Sequence, residues 1–338
     1  WLKRSRLPET ELMARAALGT MLVAAALAAS SALQLQRGPD AVLATMPGYA
    51  PDRSATALME RVDSRVEVYE LNEGRVRVLR DPWWVGNRQV RLVTVETRPK
   101  KTKIERLANV GLGQPWNGYI TKLRIMDEWL STQAHDGGLV IFVDGEDVLY
   151  GGCSEEQFMR DYHDIVNRSN GVELVIGAER GCYECPVPCD TMPRVPAWAY
   201  RNWSQVRGRP LTHASALDPT GQMRFLNSGF FVGPVEQLSQ LFRSARDSME
   251  LGSTRAGDQY FITEQFVRHP NSAVLDYGSS LVTSLYSLNV SKLFQLLPHR
   301  GLYNRITKKQ QCFFHANGPS RHTVDGLIAW LRGGAAPW

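Results

Sequence analysis

The stretch Val140–Gly152, VIFVDGEDVLYGG, carries the clearest structural statement in the chain. An apolar run ends at Asp144, and three acids follow within four residues: Asp144, Glu146 and Asp147. A short continuous apolar run of this kind reads as a strand covered on both faces. Its end poses a problem of charge. Carboxylates this close repel one another and prefer water. Either they form an exposed turn ahead of the helix that begins near Ser154, or Asp144 and Asp147 converge on a cation while Glu146 faces away. Hard oxygen ligands suit Mg²⁺ or Mn²⁺, and a nucleotide diphosphate would complete such a shell.

Outward from this strand the pattern alternates. VRLVTVET (90–97) reads as a strand, and Lys122–Leu130 has Leu123, Met126 and Leu130 at helical spacing. Ser154-Glu-Glu-Gln157 is a capping box opening a helix with Phe158, Tyr162 and Ile165 inward. VELVIGAE (172–179) and MRFLNSGFFVG (223–233) read as strands, and Val235–Met249 as an amphipathic helix. AVLD (273–276) and CFFH (312–315) are short late strands before a closing helix over Thr323–Leu331. The alternation predicts an α/β domain with a mostly parallel central sheet. Ligands of open α/β sheets sit at the carboxyl ends of strands, where Asp144 stands. His315 ends another apolar run before an Asn-Gly-Pro turn, with Arg321 nearby. It is either a structural histidine or a third ligand beside a phosphate.

The 338 residues are 43% hydrophobic and 22% charged, enough for one large domain or two smaller ones. The net charge of +5 is mild, and no basic cluster interleaved with aromatics supports nucleic-acid binding. Ala16–Leu33 is uncharged and follows Lys3, Arg4 and Arg6. It is just long enough to cross a bilayer, as a signal anchor with the following chain on the non-cytoplasmic side. Small residues at Ala28–Ala32 also suit a cleaved signal peptide. Both readings send the chain into the secretory lumen, in the endoplasmic reticulum or Golgi. Sequons at Asn167, Asn202 and Asn289 agree. The expected division is a hydrophobic leader over 1–36, a stem over 37–88 and the main domain over 89–333. Within the stem, VEVYELNEGRVRVL (66–79) alternates about Asn72-Glu-Gly74 and predicts a hairpin. Five cysteines include the cluster Cys182, Cys185 and Cys189, with Cys153 and Cys312 elsewhere. One or two disulfides with one thiol left over are expected in an oxidising lumen. A zinc site is the alternative for the cluster.

Six segments, FVDGEDVLYGG, GAERGCYECP, FLNSGFFVG, GDQYFITEQF, LDYGSSLV and FFHANGPSR, occur in an order and at distances that resemble the glycosyltransferase domain of the collagen-modifying lysyl hydroxylases and their stand-alone relatives. The resemblance covers about Val90–Arg321. It implies a GT-A fold, a nucleotide-binding α/β sandwich using Mn²⁺ and a UDP-sugar, UDP-glucose or UDP-galactose. By position it implies metal ligation by Asp144, Asp147 and His315. It puts Thr97 near the uridine and Trp116 beside the nucleotide, where a face-on ring suits uracil. Lys122 and Arg321 match basic positions suited to the diphosphate. Asn227, Asp258 and Glu179 match residues on the sugar and acceptor side, with Cys182 in the same loop as Glu179. The implied activity is transfer of the sugar to a hydroxyl, such as that of a hydroxylysine or of a sugar already on it.

Three positions depart from the family pattern. Gly257 stands where an acid usually precedes Asp258, Tyr183 replaces a tryptophan, and Ala316 replaces a glycine and so requires a negative φ. The first favours a rival reading, a weak or inactive binding module that keeps the fold. A transferase for another glycan acceptor is the second rival.

Overall fold

The computed structural model describes residues 66–331 apart from short segments at 72–73, 80–82, 86–87, 99–103, 105–106, 134–137, 209–215, 219, 253–255 and 298–300. All of these residues fall within the unit Ala57–Trp338. The apolar segment Ala16–Leu33 and the expected leader lie outside the described residues. Among the described residues no helix is long and apolar enough to cross a membrane.

The first strands are β1 (Val66–Leu71) and β2 (Gly74–Leu79), which form the expected antiparallel hairpin. Then come β3 (Trp83–Val85), β4 (Arg88–Thr94), β5 (Ala108–Asn109) and helix α1 (Ile120–Ser131). The acidic segment joins β6 (Leu139–Val143) to β7 (Val148–Tyr150), ahead of α2 (Glu155–Arg168). β8 (Val175–Glu179) and β9 (Gly181–Cys182) lead into a long excursion containing β10 (Ala216–Leu217). It returns in β11 (Phe225–Pro234), followed by α3 (Val235–Leu251), α4 (Asp258–Arg268), β12 (Val274–Leu275) and β13 (Val282–Ser284). The last part holds α5 (Val290–Leu293), β14 (Phe294–Leu296), β15 (Leu302–Asn304), β16 (Lys309–Gln310), β17 (Phe313–His315) and α6 (His322–Leu331).

The central sheet has the order β12-β8-β11-β6-β4-β3, with β5 also on β4. β4 runs parallel to β6 and β5, and β12 parallel to β8. β11 is antiparallel to both its neighbours, and β3 is antiparallel to β4. The fold is therefore α/β, but the sheet is mixed and not mostly parallel. The cause lies in the connection. Among the described residues between β8 and β11 the chain forms only short 3-10 turns and the two-residue strands β9 and β10, with no crossover helix. It re-enters the sheet at the end it left, pairing Phe225 with Glu179, and must run back antiparallel.

Val140, Ile141, Phe142 and Val143 are fully buried, as their uninterrupted apolar run requires. α1 packs on α3, which with α4 covers the sheet near β6 and β11. Phe142, Phe231 and Phe242 interlock there with ring centroids 5.3–5.8 Å apart. On α2, Ser154 accepts the Gln157 N–H at 3.1 Å, and Phe158, Tyr162 and Ile165 are buried. A second small sheet, β13-β17-β7, brings the C-terminal strand against the one that follows the acids. His315 pairs with Val148. The disulfide Cys153–Cys312 ties the same two strands.

Candidate functional site

Sheet ends decide where the site lies. β6 delivers Asp144, the tight turn before β7 delivers Asp147, and β17 delivers His315. Ligand atoms of these three side chains all lie within 4.8 Å of one another. Asp147 and His315 are buried, at 3% and 4% exposure, while Asp144 keeps a partly open face.

The orientation of His315 follows from its neighbours. Asn227 Oδ1 accepts the Gly229 N–H at 3.1 Å, so the oxygen of that amide faces inward. The same oxygen lies 2.7 Å from His315 Nδ1, which must therefore carry the hydrogen. In the neutral ring this leaves the Nε2 lone pair free, facing Asp147 Oδ1 at 3.5 Å. The close fit also explains the glycine of Asn227-Ser-Gly229. A Cβ at Gly229 would lie 2.2 Å from the His315 ring.

Fixed cations already partner the acids. Lys122 is buried, with Nζ 2.9 Å from Asp144, 2.7 Å from Asp258 and 2.9 Å from the Ser228 carbonyl oxygen. Arg321 Nε bonds Asp147 at 2.7 Å. Burial opposes the charge on Lys122, but Asp144 and Asp258 outweigh it and raise its pKa. Burial likewise pushes Asp147 up, and His315 and Arg321 overcome that and hold it at about 2. His315 is penalised by burial, yet the Asp147 carboxylate raises it. Burial raises Asp144 despite Lys122. Three carboxylates thus face two permanent cations, and the remaining negative charge calls for a proton, on His315 or Asp144, or for a bound cation. The donor set, two carboxylate oxygens and an imidazole nitrogen, fits a Mn²⁺-type ion. Glu146 turns away from the cluster and pairs with Arg98 at 2.8 Å, as Glu96 does at 2.7 Å.

Two clefts meet here. The first, about 450 Å³, is lined by Thr97, Trp116, Lys122, Asp144, Asp147 and Asp258, with Arg321 at its edge. Trp116 is half exposed and stands edge-on to Tyr119 at 6.0 Å. The second, about 460 Å³, is lined by Glu179, Asn227, His315, Tyr183 and Glu184, and shares Asp144, Asp258 and Arg321 with the first. All ten residues singled out from the sequence therefore line one or both clefts. A roomier depression of about 590 Å³ around Asn170, Gln237 and Gln265 contains none of them.

Glu179 is the buried hub of the second cleft. It accepts N–H bonds from the side chains of Asn227 (3.2 Å), Gln259 (2.9 Å) and Asn317 (2.8 Å). Burial pushes its carboxyl up to about 7 in spite of these donors. Asp258 opens α4 and points to Lys122, while the helix cap is Gly257. The Gly257 N–H donates to Glu184 Oε2 at 2.9 Å, and a Cβ at Gly257 would come within 2.5 Å of that oxygen. Glu184 therefore brings a carboxylate to the position where position 257 carries none. Sequence reasoning did not find Glu184, Gln259 or Asn317. Ala316 is buried with no positive φ, and Gly318 takes the left-handed turn at φ +53°. Cys182–Cys189 is a disulfide and Cys185 the free thiol, so the cluster holds the expected bridge and one cysteine left over.

No protein-family model matches the chain, and no curated protein is similar enough to count as a match.

Proposed function

We propose that this chain is a GT-A-type glycosyltransferase that uses Mn²⁺ and moves glucose or galactose from a UDP-sugar to a hydroxyl acceptor. One observation carries the reading. Asp144, Asp147 and His315 converge within 4.8 Å where a cleft with an exposed aromatic ring meets a cleft with a buried carboxylate network. A divalent ion held by these three residues would neutralise the diphosphate and ease its departure. The chain's own residues supply the rest. Trp116 offers a ring face to the base, with Thr97 beside it. Arg321, exposed beside Asp147, reaches both clefts and suits the diphosphate. Lys122 donates to Asp144 and to the Ser228 carbonyl oxygen and pairs with Asp258 at 2.7 Å, so it serves as the counter-ion that spaces Asp144 from Asp258. Asp258 and Asn227 border the second cleft, where Asp258 would orient the acceptor hydroxyl or steady positive charge at the sugar carbon. Glu179 would position Asn227, and through it His315.

A second reading, a binding module without turnover, draws on Lys122 and Arg321, which already neutralise the acids. The two separate in one assay. The full chain is incubated with UDP-glucose or UDP-galactose, with Mn²⁺ or EDTA, and released UDP is measured. The transferase releases UDP from one donor in Mn²⁺ and stops in EDTA or as Asp147→Asn. Absence of release from both donors, with binding retained, favours the module. The implied acceptor is a (galactosyl)hydroxylysine-type hydroxyl, and the implied setting is the secretory lumen, with the membrane reached through the N-terminal apolar segment.

A further inference from the structure

Arg180 follows Glu179 but lines neither cleft. It is 8% exposed, yet it makes no hydrogen bond or ion pair to a carboxylate among the described residues. Its Nε donates to the Gly221 carbonyl oxygen at 3.3 Å, and Nη1 to the carbonyl (3.3 Å) and hydroxyl (3.1 Å) oxygens of Ser287. All three acceptors are neutral. The neighbouring acid, Asp218, is occupied by Arg224 at 3.6 Å and by the N–H groups of Thr220 and Gln222. Residues 209–215 and 219 include no acid in their sequence. Buried charges are ordinarily paired, so this guanidinium stands out.

A second guanidinium shares its space. A Cβ built on Gly221 would lie 3.4 Å from Arg207 Nη2 and 3.6 Å from Arg180 Nη2, so both nitrogens approach the same point beside Gly221. Burial, and then Arg207, weaken the hold of Arg180 on its proton, and Asp218 only partly offsets them. Beside the pair the backbone turns left-handed twice, at Gly221 (φ +72°), where glycine allows it freely, and at Ser287 (φ +65°), where a side chain makes it costly. Ser287 is held there by its carbonyl oxygen, which also accepts the Gly208 N–H at 2.8 Å. A strained serine that aims two oxygens at one buried arginine marks a site whose shape is fixed in advance.

We propose that Arg180 and Arg207 form a binding site for a tetrahedral oxyanion, a phosphate or sulfate group, over Gly221. The two Nη2 groups that border one point offer N–H donors to such an anion from two sides, and its charge removes the repulsion between the guanidinium groups. The site adjoins the second cleft through Glu179 and Tyr286 but does not depend on the transferase reading.

The test is calorimetry on the full chain in EDTA at constant ionic strength, with inorganic phosphate and inorganic sulfate as separate arms against chloride. Saturable binding in either arm is expected. Arg207→Gln, at an exposed position, is expected to weaken it at least tenfold, equivalent to about 1.4 kcal/mol. Arg160→Gln, an exposed charge-matched change on α2, and Asp147→Asn are expected to leave it unchanged. Absence of saturable binding in both arms overturns the proposal. So does equal weakening by Arg207→Gln and Arg160→Gln, which signals diffuse charge. Loss in Asp147→Asn with retention in Arg207→Gln also overturns it, because binding then lies at the acidic cluster.

Discussion

Replacing Gly229 by alanine tests the packing that holds His315 in place. The added Cβ would stand 2.2, 2.6 and 2.9 Å from Cε1, Nδ1 and Nε2 of the ring, whereas ordinary contact begins at 3.4 Å. The ring must retreat, and retreat breaks the 2.7 Å contact to Asn227 and opens the distance to Asp147. Overpacking of this kind costs about 1–3 kcal/mol. Disturbing a ligand's support commonly costs about 10- to 100-fold in metal affinity or activity. Gly229 has no positive φ, so the backbone itself accepts alanine. In a His315→Ala background the clash is gone, and the same change is then expected to be neutral or to stabilise by about 0.4–1 kcal/mol through the unfolded chain. Urea melts of the wild type, the two single variants and the double variant give the coupling directly. The reasoning is refuted if Gly229→Ala costs as much without His315 as with it.

Three further outcomes follow from the same structure. By chain entropy, losing Cys153–Cys312, with a separation of 159, costs about 5 kcal/mol, and losing Cys182–Cys189, with a separation of 7, about 2.5 kcal/mol. Melts of the paired Cys→Ala variants should rank that way, and the reverse order contradicts it. Glu179 binds a proton more tightly folded than unfolded, so its burden on the fold grows as pH rises from 4.5 to about 7 and is constant above. Glu179→Gln should therefore gain stability relative to wild type across that window, and a flat difference between pH 4 and 8 contradicts it. Asn167 and Asn202 are exposed, whereas the Asn289 side chain caps a helix by accepting the Lys292 N–H at 3.1 Å. Expression through a eukaryotic secretory route should give a deglycosylation shift on a gel that Asn167→Gln with Asn202→Gln largely removes.

Much of the fold was legible because the signals were local. The apolar run before Asp144 gave β6, the capping box gave α2, and Asn72-Glu-Gly74 gave the hairpin. The direction of β11 was not legible, since a strand buried on both faces has the same pattern whichever way its neighbours run. The small strands β14, β15 and β16 are too short to carry periodicity. In the site, Asp144, Asp147 and His315 stood at strand ends and could be read there. The resemblance sets Lys122 at a basic position suited to the diphosphate, and in the fold it lines the first cleft while bridging Asp144 and Asp258; those ion pairs were not legible, because they join α1 to distant parts of the chain. Glu184 reaches Gly257 across 73 residues from a left-handed position, φ +47°, and no local pattern announces such a contact.

The central claim is that the acids after β6 are held together by a cation that also carries a nucleotide diphosphate. Calorimetry of UDP binding measures it most directly, with Mn²⁺ and with EDTA, for wild type, Asp147→Asn and His315→Ala. Wild type is expected to bind UDP at least tenfold more tightly in Mn²⁺, and both variants to lose most of that gain while keeping a cooperative melt. Equal binding by wild type in EDTA, or full Mn²⁺ dependence in both variants, would contradict the account. Lys122 and Arg321 alone would then answer for the charge of the acidic turn.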